Sequence, residues 1–438
     1  MFRNILRNIL FLFNVGFIFV SEYFLYCLFN NYVSFIDRLT TKLAAINILY
    51  VKIFQAFAYN NNMVDDVTNT KLINFTDNAP WNYSDIDLKL LVHISEQYDL
   101  HLGHNYEIPI NSGMISLVFK ACKKSNFNEK VIIKMKRKNI QEKLDVAIDN
   151  LLFFTYILSF IPIINNFQLA EVVEKNIEII RYQTNFLQEI DNMNEIRRNC
   201  KNLKYVKIPK AYRDATEKFP DIILMEYING IKINEIKEQD YEPFSKLIVK
   251  FGLVTTIVHG ITHGDLHSGN ILFIKDCSDD KYPYKIGVID FGIIYVVDNN
   301  YKDVLFELFT KLFDMDPKES AEKILNSCII EPRGLLKQLP QNDYNNIVEF
   351  TTDIIRDTLR ESKQANQIQI YKFLSNLKEY LSKKELQKLG VRPSDDFVKS
   401  QLVLAMAHGV TLTLCKGDFI TLMDKCLNEL FHTQMLLN

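Results

Sequence analysis

Apolar residues crowd the start of this chain and then break into short, separated runs. From Ile9 to Phe29 nearly every residue is Ile, Leu, Phe, Val or Tyr, interrupted by Asn14, Ser21 and Glu22 and preceded by Arg3 and Arg7. A stretch of roughly 20 apolar residues is long enough to cross a bilayer as a helix. The expectation is a single membrane anchor over residues 1–34; a hydrophobic first helix docked on the folded body and a cleaved targeting segment are the alternatives. Glu22 is the awkward residue for an anchor, because a carboxylate in hydrocarbon costs on the order of 2.5 to 3.5 kcal/mol.

Beyond the apolar start, the polar stretch Asn60 to Thr70 predicts a loop, and Thr76 to Ser84, containing Pro80, predicts a break before a helix at Asp85 to Gln97. Residues 106 to 135 read as strands, and Gln141 to about Gln183 as helix interrupted at Pro162. Glu189 to Arg198 reads as helix, Asp221 to Tyr227 as a strand entering a hinge, and Ile271–Ile274 and Ile286–Ile289 as strands. After Gly292 the patterns are helical: Val304 to Phe313, Ile347 to Leu359, Ile370 to Leu381 and Phe397 to Leu414. Strands early and helices late predict an α+β chain. Its parts are a helical extension over 35–105, an N-terminal lobe with inserted helices over 106–228 and a mostly helical C-terminal lobe over 229–438.

With 438 residues and 48% hydrophobic content there is enough apolar material for two packed lobes plus an extension. Fifty-one basic against 53 acidic residues make the chain nearly neutral, and no basic stripe is interleaved with aromatics, which excludes nucleic acid as the expected partner. Seven scattered cysteines without a Cys-x-x-Cys pair predict reduced thiols, hence a body facing a cytosol-like or matrix-like compartment.

The candidate chemistry lies between His263 and Gly292. Transfer of a phosphoryl group from Mg-ATP needs a carboxylate beside the acceptor oxygen, an amide oxygen on the metal and a second carboxylate between metal and phosphates. Asp265 and Asn270, in a D-x-x-x-x-N loop, and Asp290, in Asp290-Phe291-Gly292 after an apolar strand, supply those groups. A metal site made by His259, His263 and His267 on one helix is the rival for the same stretch, opposed by Gly260, Gly264 and Gly269. Upstream, Val131-Ile132-Ile133-Lys134 ends a strand in the lysine expected over the α and β phosphates, with Glu195 as its expected carboxylate partner. Backbone groups of Glu226 and Tyr227 are placed to meet adenine. Ile110-Asn111-Ser112-Gly113-Met114 through Val118 occupies the place of a phosphate loop, with one glycine where an ordinary kinase loop has three.

These residues together resemble the UbiB/ADCK family of atypical kinase-like ATPases. Glu189-Ile190-Asp191 matches the family's Glu-x-Asp motif, Lys52 and Gln55 match its Lys-x-Gly-Gln motif, and His263 to Asn270 match its catalytic loop. Phe54 stands where that motif has glycine, and Asn111 to Met114 where the family's loop is alanine-rich. The resemblance implies a protein-kinase-like two-lobed fold binding ATP and Mg2+, and an extension that brings Lys52 near Glu189 and Asp191 and covers the cleft where a kinase would admit a peptide. Only eight positions separate Asp290 from the helix-capping Asp298, too few for a long activation segment, so a protein substrate is not expected. The implied role is ATP hydrolysis or small-molecule phosphorylation linked to membrane lipid or ubiquinone-type metabolism. Expected partners are ATP, a small-molecule or lipid substrate, the membrane and a second copy in a homodimer. A small-molecule kinase of the aminoglycoside or choline type, and a nucleotide-binding scaffold without turnover, remain as alternatives.

Overall fold

Two asparagines separate the first two helices, α1 (Phe2–Phe29) and α2 (Tyr32–Ile46). Asn30 takes φ 46°, a left-handed conformation that its short polar side chain tolerates, and the Asn31 side chain caps α2 by accepting the N–H of Ser34. The computed structural model describes residues 2–52, 54, 78–158, 177, 180–304, 316–327, 329–365, 376, 377 and 379–397, and single positions at 410, 411, 414, 422, 425, 426 and 429. The expected loop at 60–70, the break at Pro162, Gln55, and most of the helices expected at 304–313, 370–381 and 397–414 lie outside the described residues.

The chain divides into two units. The first comprises Met1–Asp191 with Lys210–Tyr227, the second Asn192–Pro209 with Ile228–Asn438. In the first, Asp87 caps α3 (Leu88–Gln97) by accepting the N–H of Leu90, and β1 (Leu100–Leu102), β2 (Asn111–Ser112), β3 (Ser116–Lys123) and β4 (Asn126–Lys136) follow. Then come α4 (Ile140–Leu158) and the start of α5 (Phe186–Asn199). After β5 (Val206–Lys207), which belongs to the second unit, the chain returns with α6 (Arg213–Lys218) and β6 (Ile222–Glu226).

The sheet of the first unit is antiparallel, in the order β1-β3-β4-β6, with β2 paired to β3. Period-two alternation sorts its side chains. Leu117, Phe119, Val131, Ile133, Met135 and Leu224 pack with Leu91 and Ile94 of α3 into one core. Val118, Lys134 and Ile223 are opposite one another in the register and so share the other face. Lys134 is thereby kept out of the apolar core by one residue of register; a slip of one would bury it among leucines.

In the second unit α7 (Tyr241–Leu253) runs into a single π-helical turn, Val254–His259, closed by Gly260 at φ 68°. There follow β7 (Ile261–His263), β8 (Ile271–Lys275), β9 (Tyr284–Val288) and β10 (Ile294–Val296), with β7 antiparallel to β10, β8 antiparallel to β9, and β5 parallel to β9. Beyond a helix that starts at 299, α8 (Pro317–Asn326) and α9 (Gln341–Ala365) pack Ile324, Leu325, Ile347, Val348 and Ile355 against Val249 and Leu253 of α7. Strands concentrate early and helices late, so the chain is α+β.

Candidate phosphoryl-transfer site

The loop from His263 to Asn270 joins β7 to β8, and its shape is set by its own polar groups. His263 is fully buried; its Nδ1 accepts the N–H of Asp265 at 3.1 Å. Its Nε2 therefore carries the hydrogen and donates it to the Asp290 carbonyl at 2.5 Å. One neutral imidazole thus fixes two loops that the sequence separates by 27 positions. Asn270 turns its amide nitrogen inward, donating to the Asp265 carbonyl at 2.9 Å and lying 3.0 Å from His267 Nε2, while its own carbonyl accepts the N–H of Ile289 at 3.0 Å. The carboxamide oxygen of Asn270 has no partner among the described residues. His267 also lies 3.9 Å from the Asp265 carboxylate.

Asp290 follows β9 after one intervening residue, Ile289, and takes φ 67°. Its Oδ1 accepts the N–H of Gly292 at 3.1 Å, and Phe291 is buried beside the His263 ring, centroids 5.2 Å apart. The Phe291 carbonyl accepts the amide N–H of Asn192 on α5 at 2.9 Å. Because β8 and β9 pair with Ile271 opposite Val288, Asn270, one residue before that pair, and Asp290, two residues after it, lie at the same end of the strands. Two hard oxygen ligands at one strand end suit Mg2+, which binds through one or two protein oxygens and completes its shell with phosphate and water. His259, His263 and His267 do not form the rival metal site: Gly260 ends the helix after His259, and both ring nitrogens of His263 are bonded. Among the described residues no group of three or more His, Cys, Asp or Glu is placed to hold a metal.

Gly264 is required here by close approach. A Cβ at that position would lie 2.6 Å from Ile293 Cγ2 and 3.3 Å from the Ile293 carbonyl, which accepts the Gly264 N–H at 2.9 Å. Gly264→Ala should cost about 1–3 kcal/mol by overpacking, and Ile293→Ala should recover part of it; thermal unfolding of the single and double variants measures both. The burial of His263 gives a pH signature. Burial depresses its pKa, against the pull of the Asp265 and Asp290 charges, so the unfolded chain takes up the proton first. Its contribution to stability is complete above about pH 6.5 and is lost as the pH falls. Unfolding midpoints measured down to pH 5 should decline less steeply in His263→Gln than in the native chain.

In the first unit, Lys134 Nζ meets Glu189 Oε1 at 2.6 Å, both side chains almost wholly buried. This corrects the expected partner. Glu195 lies six residues further along α5, about 1.7 turns, so it leaves the helix on a different face. It is half-buried, and no hydrogen bond or ion pair engages it among the described residues. Asp191 pairs with Arg213 at the surface. Lys52 is half-buried in a helical turn, and Phe54 is accommodated in an apolar cluster with Phe11, Val15, Ile18, Leu39 and Leu43, its ring stacked on Tyr50.

The phosphate-loop region is a tight β2–β3 turn tied into the lobe. Ser112 is buried and donates to the Ala79 carbonyl at 2.7 Å, and the side chains of Met114 and Ile115 pack on Leu144, Ala147 and Ile148 of α4. Those side chains are therefore engaged inside the lobe, and the turn's backbone is the part that could approach a phosphate. Ile110 is exposed, and Asn111, Gly113 and Val118 are half-buried. At the hinge the Glu226 N–H donates to the Lys210 carbonyl and the Tyr227 N–H to the Lys130 carbonyl.

Arg137, which the sequence pattern did not mark, is the clamp on this turn. Its guanidinium donates to the Gly113 carbonyl at 2.8 Å, the Ser112 hydroxyl at 2.9 Å, the Pro80 carbonyl at 2.9 Å and Asp85 Oδ2 at 2.8 Å. Lys143 donates to the other Asp85 oxygen at 2.5 Å. Burial pushes the Asp85 carboxyl up, but Lys143, the Asn82 amide and the Arg137 charge outweigh it and hold the carboxyl below its usual range. A buried arginine just after a strand is the one available sequence signal; nothing marks Asp85, 52 positions away, as its partner.

An antiparallel sheet with a buried lysine–glutamate pair, and a loop whose carboxylate and amide precede one strand while a second carboxylate ends its neighbour, define a protein-kinase-like fold. The chain belongs to the ABC1 atypical kinase-like domain family, whose profile matches residues 77–324. Among curated proteins it is similar to the chloroplastic protein ACTIVITY OF BC1 COMPLEX KINASE 8 of Arabidopsis thaliana, 25% identical over 54% of this chain and 31% of the relative. It is likewise similar to a probable protein kinase UbiB of Blochmanniella pennsylvanica, 30% identical over 50% of this chain and 40% of the relative. A solved structure described as a complex of Rv3197 with erythromycin, from Mycobacterium tuberculosis, aligns with a TM-score of 0.47 at 16% identity over 90% of each chain. The chain spans roughly a third to two-fifths of the length of these two curated relatives.

Proposed function

We propose that this chain binds Mg-ATP and transfers its terminal phosphoryl group to water or to a small molecule or lipid at a membrane, in support of quinone-type lipid metabolism. The observation that carries the reading is the His263 bridge, which ties Asp265 to Asp290, with Asn270 joined to Asp265 through its own side-chain amide. In this proposal Asp290 and the Asn270 carboxamide oxygen hold Mg2+, and Asp265 receives or orients the proton of the acceptor oxygen. Lys134, held by Glu189, binds the α and β phosphates, and the backbone of Asn111 to Met114 approaches the phosphate chain. When bound, the metal would neutralise charge developing on the transferred group. The membrane link draws on the apolar α1, and the lipid link on the UbiB name of relatives. A small acceptor is favoured over a protein because β10 follows Gly292 closely and a helix begins at 299, leaving little chain for an activation segment.

A scaffold that binds nucleotide without turnover is the second reading. The closed phosphate turn favours it, since Arg137 and the buried Met114 and Ile115 hold that turn away from the open form of a glycine-rich flap. Thermal unfolding with and without Mg-ATP, followed by phosphate release on the same sample, separates the two. Ligand at about a hundred times its dissociation constant should stabilise the fold by about 2.7 kcal/mol. Stabilisation with slow release, raised by lipid vesicles, supports the enzyme. Stabilisation without release under any acceptor supports the scaffold, and no stabilisation by ATP, ADP or GTP removes both.

A further inference from the structure

Helix α1 wears its polarity backwards. Its buried stripe, at spacings of three and four, is Asn8, Phe11, Val15, Ile18 and Glu22, and twelve large apolar residues of the same helix face outward, among them Phe13 at 74% exposure, Phe17 at 67% and Val20 at 71%. The stripe is fastened to the first unit at two places. Near the start, Arg7 pairs with Asp149 of α4 at 2.9 Å. Near the end, the fully buried Glu22 accepts from Arg38 at 2.6 Å and Lys42 at 2.5 Å, both on α2. Between these ties, Phe11, Val15 and Ile18 pack against Leu39 and Leu43 of α2 and against Phe154 of α4.

The two ties are 15 residues apart, about 22 Å along the helix axis. A helix bound at both ends of that span to one water-soluble unit cannot carry its middle through a hydrocarbon layer about 30 Å thick. To cross, α1 would have to peel off, leaving Glu22 in lipid without Arg38 and Lys42. Yet the outward face is not one that water tolerates: from Asn8 to Phe29 it holds no charged residue. At its C-terminal end Tyr23, Tyr26 and Tyr32 cluster, with ring centroids 6.1 to 6.3 Å apart, and tyrosine favours the headgroup level. An apolar face that ends in a tyrosine cluster matches the headgroup and upper acyl level of a bilayer.

We propose that α1 lies flat in the headgroup region of a bilayer, docked along its length on α2 and α4, and does not cross it. This rests on the membrane link proposed above and specifies its geometry: both ends of α1 stay on the side of the folded body. The test uses the full chain bound to vesicles of phosphatidylcholine and phosphatidylglycerol, with Ile5→Cys and Asn31→Cys variants labelled by a membrane-impermeant maleimide and read by mass spectrometry of the labelled peptides. Both positions should label from outside to the same extent before and after detergent. In the otherwise unaltered chain, the exposed native Cys27 reports the C-terminal end of the helix, so the result does not depend on one variant folding. Phe13→Asp with Phe17→Asp should lower vesicle partitioning by about tenfold or more. Protection of position 5 until detergent is added, with position 31 labelled, would establish a spanning helix and overturn the proposal while leaving the membrane link intact. Absence of vesicle binding, with concentration-dependent dimers by light scattering, would assign the face to a second copy and overturn both.

Discussion

Asp290→Asn is expected to reduce Mg-dependent phosphate release by about a hundredfold or more, with the fold preserved. The substitution is chosen for the backbone. Asp290 sits at φ 67°, a conformation that asparagine accepts and most residues resist, so Asn removes the charge without adding strain. Asn also keeps the side-chain oxygen that accepts the Gly292 N–H, and the backbone carbonyl that accepts from His263 is untouched. What disappears is the negative charge proposed to hold the metal between the phosphates. Thermal unfolding should therefore match the native chain without nucleotide, and the stabilisation by Mg-ATP should shrink toward that by ATP with chelator. Native rates of phosphate release in Asp290→Asn would remove the metal assignment, and with it the proposed chemistry.

Glu189→Gln should destabilise the chain by about 3–5 kcal/mol, whereas Glu195→Gln should shift it by no more than about 0.5 kcal/mol. The contrast follows from burial. Lys134 and Glu189 meet at 2.6 Å with side-chain exposures of 7% and 2%, so removing the carboxylate leaves the ammonium in a poorly solvated place without its nearest counter-charge. Glu195 is half-buried and can remain hydrated. Chemical unfolding of the two variants beside the native chain decides the matter. Equal losses for both would mean that α5 rotates in solution to offer Glu195 to Lys134. Nucleotide affinity should follow the same order, since Lys134 without the Glu189 carboxylate is less firmly placed for phosphates.

The loop proposed for catalysis could be picked out because its pattern is local. Asp265, Asn270 and Asp290 lie within 26 positions, and phosphoryl transfer constrains their types and order, so the same residues could be named from the sequence and are gathered at one strand end by the β8–β9 pair. The strand that carries Lys134 was legible for a similar reason, as a short β-branched apolar run, Val131 to Ile133, ending in the lysine. The choice between Glu189 and Glu195 was not, because both lie on α5 and only the helix's rotation against the sheet selects one. Nor could the sequence foresee that Ser112 and Met114 turn inward, since that depends on Arg137 bonding Gly113 and on α4 covering the turn.

The first helix shows the same division. Composition alone marked residues 9–29 as an apolar helix long enough to cross a membrane, and Glu22 stood out as its one charged interruption. Composition could not say which side of that helix the protein covers, because an apolar run has no internal contrast to orient it. The tertiary structure decided it through two long-range ion pairs, Arg7 with Asp149 and Glu22 with Arg38 and Lys42, contacts between elements up to 142 positions apart. Element type and the residues proposed for chemistry are written in near-neighbour patterns, which the chain carries by itself. Which carboxylate neutralises a lysine, and which face of a helix is left outward, are settled only when distant segments pack and each buried charge must find a partner.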